Sequence, residues 1–230
     1  MGILRRGGQM SDSALTAAVM VLSGGLQDAY TYFCRGGVFA NAQTGNIVLL
    51  GTGVFSGDLR GAMRYLVPIA AFLLGIIAAE LVRRRCRHFE RVHWRQLVVL
   101  AELALLLGVG FMPQRLNMAA NAAVSFVCAM QVQAFRKVRG HAYASTMCIG
   151  NLRSGAEALC AYMHTRERGA LSAAGAYFGV VCMFALGAGL GSVLTRRFGE
   201  RAIWFSCALL AAACAFMTAP PKERENDGKD

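Results

Sequence analysis

Charge is what this sequence has least of. Only 16% of its 230 residues are Asp, Glu, Lys or Arg, while 56% are hydrophobic and the mean hydropathy is +0.43. A soluble domain of this length needs more charge to cover its surface. The chain also has no GxxxxGK phosphate loop, no HExxH, no GxSxG and no CxxC pair. No soluble stretch is long enough to house a pair of catalytic carboxylates. These absences exclude ATP-driven pumping by this chain alone and argue against an enzyme, since neither a nucleophile–base pair nor a metal set is apparent. No cofactor is implied.

What is present instead are apolar blocks of the length that crosses roughly 30 Å of hydrocarbon, about 20 residues as helix. The sequence predicts an all-α integral membrane protein. Its eight helical segments are Ala14–Phe33, Ala40–Phe55, Tyr65–Val82, Leu97–Met112, Met118–Phe135, Ala144–Met163, Leu171–Leu194 and Ala202–Thr218. Arg5 and Arg6 ahead of the run Ala14–Leu22 resemble a secretory signal. No small-x-small cleavage site follows, so the run is read as a retained first helix. Residues 1–13 are expected to be a cytoplasmic N-terminus, and the charged tail 219–230, which includes PPKERENDGKD, to be disordered.

The formal charge of +11 does not point to nucleic acid, because the basic residues sit between apolar blocks and not on an amphipathic face. The densest cluster, Arg83 to Arg95, reads as a positive-inside anchor that can also meet anionic lipid. Six of the eight cysteines lie inside apolar blocks, where free Cys behaves as a small hydrophobe. Cys86, His88 and His93 share one loop, but their spacing fits no standard metal site.

Adding 105 to the segment starts at 14, 40, 65 and 97 lands close to those at 118, 144, 171 and 202. Gly45-Asn46 then falls on Gly150-Asn151, and Asp28 on Gln133. The expectation is two weakly similar membrane repeats, 14–112 and 113–218, of about four segments each. Loop charges bear on the topology. If all eight segments cross, the two sides carry 10 and 13 Lys/Arg, which selects no orientation. If segments two and six enter and leave on one side, the split is 16 against 7, with both termini cytoplasmic. Six spanning helices with two re-entrant or broken ones is therefore the preferred architecture, and eight spanning helices the alternative.

Polar residues inside apolar segments mark a candidate substrate or ion site. A carboxylate in hydrocarbon costs a few kcal/mol, so Asp28 must face protein or water, carry a proton or be paired; Arg35, two turns on, is the structural partner on offer. Gly24 and Gly25 share its helical face and would let another backbone approach. Asn41 is a good N-cap after Gly36-Gly37, so a helix starting there could present buried amides to a polar or anionic ligand. Thr44, Gly45 and Asn46 add donors and a close-approach point. In the second half Gln133, Gly150, Asn151, Arg153 and Glu157 complete the set, Arg153–Glu157 being an i,i+4 pair. Arg153 could hold an anionic group bidentately or lock two helices. Against this stands interhelical hydrogen bonding as the role of such amides. Glu80 beside Arg83 and Arg84 reads as snorkelling, and Glu102 is ambiguous.

The stretches GGLQDAYTYFCRGGVFANAQTGNIVLLG and QVQAFRKVRGHAYASTMCIGNLRSGAEAL resemble the two half-signatures of the YoaK-like family of bacterial integral membrane proteins, a domain of unknown function. Asp28, Thr44, Gly45, Asn46, Gly150 and Asn151 fall on motif positions. Ile149 stands where the second motif more often has Thr. The resemblance implies a bacterial inner-membrane location and no established substrate. The expected function is a small secondary transporter or permease for a small polar or anionic solute, proton-coupled through Asp28. A passive pore, or a non-transporting subunit or sensor whose motifs only pack helices, are the alternatives. The partners expected are the lipid bilayer, the solute and a second copy in a homo-oligomer, with no nucleic acid.

Overall fold

A computed structural model describes residues 14–86, 94–135, 137–138, 141–142 and 148–218. Its helices are α1 (Ala14–Cys34), α2 (Gln43–Phe55), α3 (Leu59–Cys86), α4 (Trp94–Val109), α5 (Asn117–Ala134), α6 (Cys148–Thr165), α7 (Arg168–Phe198) and α8 (Ile203–Thr218). Short 3-10 turns precede α5 and α8. Among the described residues the only extended pairing is a two-residue hairpin, Lys137–Val138 with His141–Ala142. Each apolar block has therefore become a helix. Two helical stretches, Leu59–Cys86 and Arg168–Met217, are long and apolar enough to cross a membrane.

Side-chain contacts fix the directions. Asn121 bonds the Arg35 carbonyl, Cys128 bonds Gln27 and Gln131 bonds the Met20 carbonyl, so α5 runs antiparallel to α1. Leu22 and Leu26 meet Gly187 and Gly191, so α7 runs parallel to α1. Gly75 meets Phe126 and Ala129 while Glu80 meets Gln133, so α3 runs parallel to α5. α4 returns from Arg95, on the Ala134 carbonyl, to Val109, on Arg35. α8 starts beside α4, with Trp204 donating to the Leu107 carbonyl. Six helices thus run between the two ends of the bundle, with α1 and α5 at its centre.

α2 and α6 do not. After α1, Gly36 and Gly37 take φ of 89° and 75°, values open to glycine and strained for L side chains. The chain turns back there, and Asn41 Nδ2 donates to the Gly24 carbonyl at 3.2 Å. Gly24 lies ten residues before the end of α1, so Asn41 is about 15 Å inside the bundle at 1.5 Å per residue. α2 starts at that depth and returns to the end it came from, where Gly53 packs on Ala62 near the start of α3. In the other half Gly155 of α6 packs on Phe178, and α6 ends beside the start of α7.

The packing pairs correspond across the two halves. α1 lies on α7 as α5 lies on α3, α2 on α3 as α6 on α7, and α8 on α1 as α4 on α5. Large apolar side chains of α3 (Leu73, Leu74, Ile77) and α7 (Leu186, Leu190, Val193) face outward. The tightest crossing is glycine-made: a Cβ on Gly25 would run into the Phe184 carbonyl and the Ala188 amide, both backbone. Gly25→Leu is therefore expected to cost on the order of 3 kcal/mol through overpacking. Gly179→Leu, where a Cβ meets nothing within 4 Å, should stay within about 0.5 kcal/mol. Thermal midpoints of the two purified variants decide this, and equal midpoints would remove the close crossing from the account.

Candidate functional site

Asp28 lies six residues before the end of α1 and is 6% exposed. Its Oδ1 accepts the Asn41 backbone N–H at 2.8 Å, and the neighbouring Ala40 and Ala42 amides stand close enough to favour its charge. The inward-folded loop thus turns backbone dipoles towards the carboxylate, with one direct hydrogen bond among them. Arg35 is not the partner of Asp28. α1 ends at Cys34, so Arg35 is free to turn towards α4 and α5, where it donates to Tyr30 Oη, Asn117 Oδ1 and the Val109 carbonyl.

The remaining polar groups of the first motif hold the same loop. Asn46 is fully buried; its Oδ1 accepts the Phe39 N–H, and its Nδ2 donates to the Phe39 carbonyl at 2.6 Å and to Gln43 Oε1. Gln43 in turn donates to the Ala40 carbonyl. Gly45 leaves room for the Phe39 ring, which stacks on Tyr32 at 4.7 Å. Thr44 is exposed. Asn41 does not cap α2: the N-cap position is Ala42, without a side-chain bond, because the Asn41 amide is turned towards Gly24.

From the second motif, the Cys148 thiol at the start of α6 is within electrostatic reach of the Asp28 carboxylate. Asn151 is buried, whereas Gly150 is exposed. Arg153 and Glu157 form their i,i+4 pair at 2.9 Å with 80% and 63% of their side chains exposed, so this pair neither locks helices nor faces Asp28. Gln133 donates to Glu80, which also pairs with Arg83 and Arg84, in line with a snorkelling acid. His88 and His93 lie outside the described residues. Among the described ones no three His, Cys, Asp or Glu side chains gather as a metal site.

Sequence reasoning missed a buried network beside Asp28. Ser23 and Ser206 share a 2.6 Å hydrogen bond, Gln27 donates to both, and the Cys128 thiol donates to Gln27 Oε1 at 2.8 Å. The only trace in the sequence is a serine or glutamine inside an apolar block. A cleft of about 260 Å³ lies between α2 and α3, lined by Thr52, Ser56, Asp58 and Arg64 among others. Asp28 does not line it.

Comparison with known proteins bears on the whole of this arrangement. Residues 16–216, which include both motifs and all eight helices but for their outermost residues, match the family model described as Protein of unknown function (DUF1275). No curated protein and no solved structure matches the chain. The match agrees with the YoaK-like resemblance of the two motifs, and the chain belongs to the DUF1275 family.

Proposed function

We propose that the chain is a multi-pass inner-membrane secondary transporter, built as an inverted repeat, that couples movement of a small polar or anionic solute to protonation of Asp28. The observation that carries this reading is the Asp28 clasp: a buried acid that accepts the Asn41 amide of a loop folded into the bundle. An ionised carboxylate accepts an amide bond better than a neutral acid does. Proton binding therefore loosens the loop and the start of α2, and proton release restores them. Two helix N-termini at mid-depth supply amide donors for the solute, as the broken helices of inverted-repeat transporters do. The matching packing pairs of the two halves, the inward start of α2 and the 16-to-7 loop charge split support the six-plus-two topology, with both termini cytoplasmic.

The test is a solute screen by thermal shift on the purified protein between pH 5.5 and 8, followed by flux into proteoliposomes. A stabilising solute should be taken up faster under an inward proton gradient, and Asp28→Asn should abolish the gradient dependence. Wild-type uptake that is indifferent to the gradient and undiminished in Asp28→Asn would identify a passive pore.

One observation favours a second reading. All three hydrogen bonds of Asn46 go to its own loop and the first turn of α2. A non-transporting subunit or sensor predicts that Asn46→Ala and Asn151→Ala lower the thermal midpoint and that no solute shifts the wild type.

A further inference from the structure

α5 lays Asn121, Ser125, Cys128 and Gln131 along one buried face, at spacings of four, three and three residues. Asn121 Oδ1, Ser125 Oγ and Gln131 Oε1 are buried without a hydrogen-bond partner. The antiparallel packing of α4, from Arg95 on Ala134 to Val109 beside Arg35 and Asn117, brings Glu102 to the level of Cys128. Glu102 is fully buried, and neither of its carboxyl oxygens has a partner.

Among the described residues no cation answers this acid. α1, α5 and α8 contain no Lys or Arg. Arg95 is two turns away and bonds the Ala134 carbonyl, while Arg35 bonds Val109, about 10 Å along α4. The charged groups of α3 nearest this region, Glu80 with Arg83 and Arg84, pair with each other. From α8 the titratable groups are the Cys207 and Cys214 thiols, and from α5 the Cys128 thiol. Cys128 is within electrostatic reach of both Glu102 and Asp28, and it donates to Gln27, the residue before Asp28. Burying an ionised carboxylate with neither counter-ion nor donor is strongly unfavourable, and intramembrane acids of this kind mark proton relays.

We infer that Glu102 is a second proton-binding site, reached along the polar stripe of α5 and linked to Asp28 through Cys128 and Gln27. Loading forms one O–H bond on the Glu102 carboxylate and breaks one on the donor that delivers the proton; nothing is oxidised or reduced. This deepens the proton-coupled reading and rests on it for its use in transport.

The experiment is difference infrared spectroscopy of the purified full chain, which reads protonation without any solute. At neutral pH the wild type minus Glu102→Gln spectrum should contain the carbonyl stretch of a protonated carboxylic acid. The band should shift in D2O and vanish on alkalinisation. Glu102→Asp should move the band and keep it, which covers an unstable Gln variant. Asp28→Asn should retain the band and change the pH at which it vanishes. Absence of a Glu102 band across the folded pH range overturns the site, as does a band insensitive to D2O and pH. An unchanged midpoint in Asp28→Asn overturns the link to Asp28. Each of these results leaves the flux experiment intact, so either reading can fail alone.

Discussion

Replacing Asp28 by alanine is expected to release the loop between α1 and α2 and to destabilise the protein by about 3 kcal/mol. The carboxylate accepts the Asn41 amide, with those of Ala40 and Ala42 beside it. The loop is buried around them, with Val38 and Ala40 fully inaccessible. Each buried donor left without an acceptor costs about 1–3 kcal/mol, partly relieved where the loop lifts into water or headgroups. Asp28→Asn keeps one oxygen in place, so its loss should be nearer 1 kcal/mol. Hydrogen exchange at residues 38–42 is the direct readout. In the alanine variant these amides should exchange far faster than those of the α1–α7 crossing, which does not depend on the clasp. Unchanged exchange at 38–42 would show that Asn46 and Gln43 hold the loop by themselves, and the proton switch would lose its lever.

That lever was only half legible in the sequence. Block length and alternation of polarity locate eight helices to within a few residues, because a helix needs a continuous apolar face wherever it is packed or lipid-covered. Loop arginines favour two segments that return to their own side, and the inward start of α2 is in keeping with that for one of them. The polar cluster at 41–46 marks where the chain enters the interior. Its bonding pattern was illegible, since it depends on which residue takes cap geometry and on which helix stands opposite. Asn41 has a capping side chain, yet Ala42 holds the cap position. Arg35 shares the i+7 spacing of a paired residue with Asp28, yet lies just outside the helix that would have kept them on one face. Ser23 and Ser206 are 183 residues apart, and no local pattern announces their contact.

The correspondence between halves sharpens what the motif residues do. Asp28 and Gln133, which the 105-residue offset pairs, make different bonds. Asp28 holds the loop before α2, while Gln133 reaches α3 and bonds Glu80. The acid therefore meets the start of α2 through a direct bond and Cys148 of α6 only through space. If Asp28 takes up a proton, the change is expected to act first on α2.

The opposite end of the bundle depends on Arg35, and Arg35→Ala is expected to be the most destabilising truncation, at about 4 kcal/mol. The guanidinium is fully buried and joins three helices. Nε donates to Tyr30 at 2.7 Å within α1, Nη1 to Asn117 of α5 at 3.1 Å, and Nη2 to the Val109 carbonyl of α4 at 3.0 Å. Tyr30 passes the connection on to the Glu200 carbonyl between α7 and α8. Truncation leaves three acceptors without their donor and a cavity the length of the side chain. Arg35→Lys keeps the charge but presents it as a point, which the fork geometry of three separate acceptors does not match; about 2 kcal/mol of loss is expected. Arg35→Met separates packing from bonding, because it fills much of the volume and donates nothing. Thermal midpoints in one detergent should fall in the order wild type, Lys, Met, Ala. If Met equals the wild type, the three hydrogen bonds only repay desolvation of the guanidinium, and packing alone ties this end together.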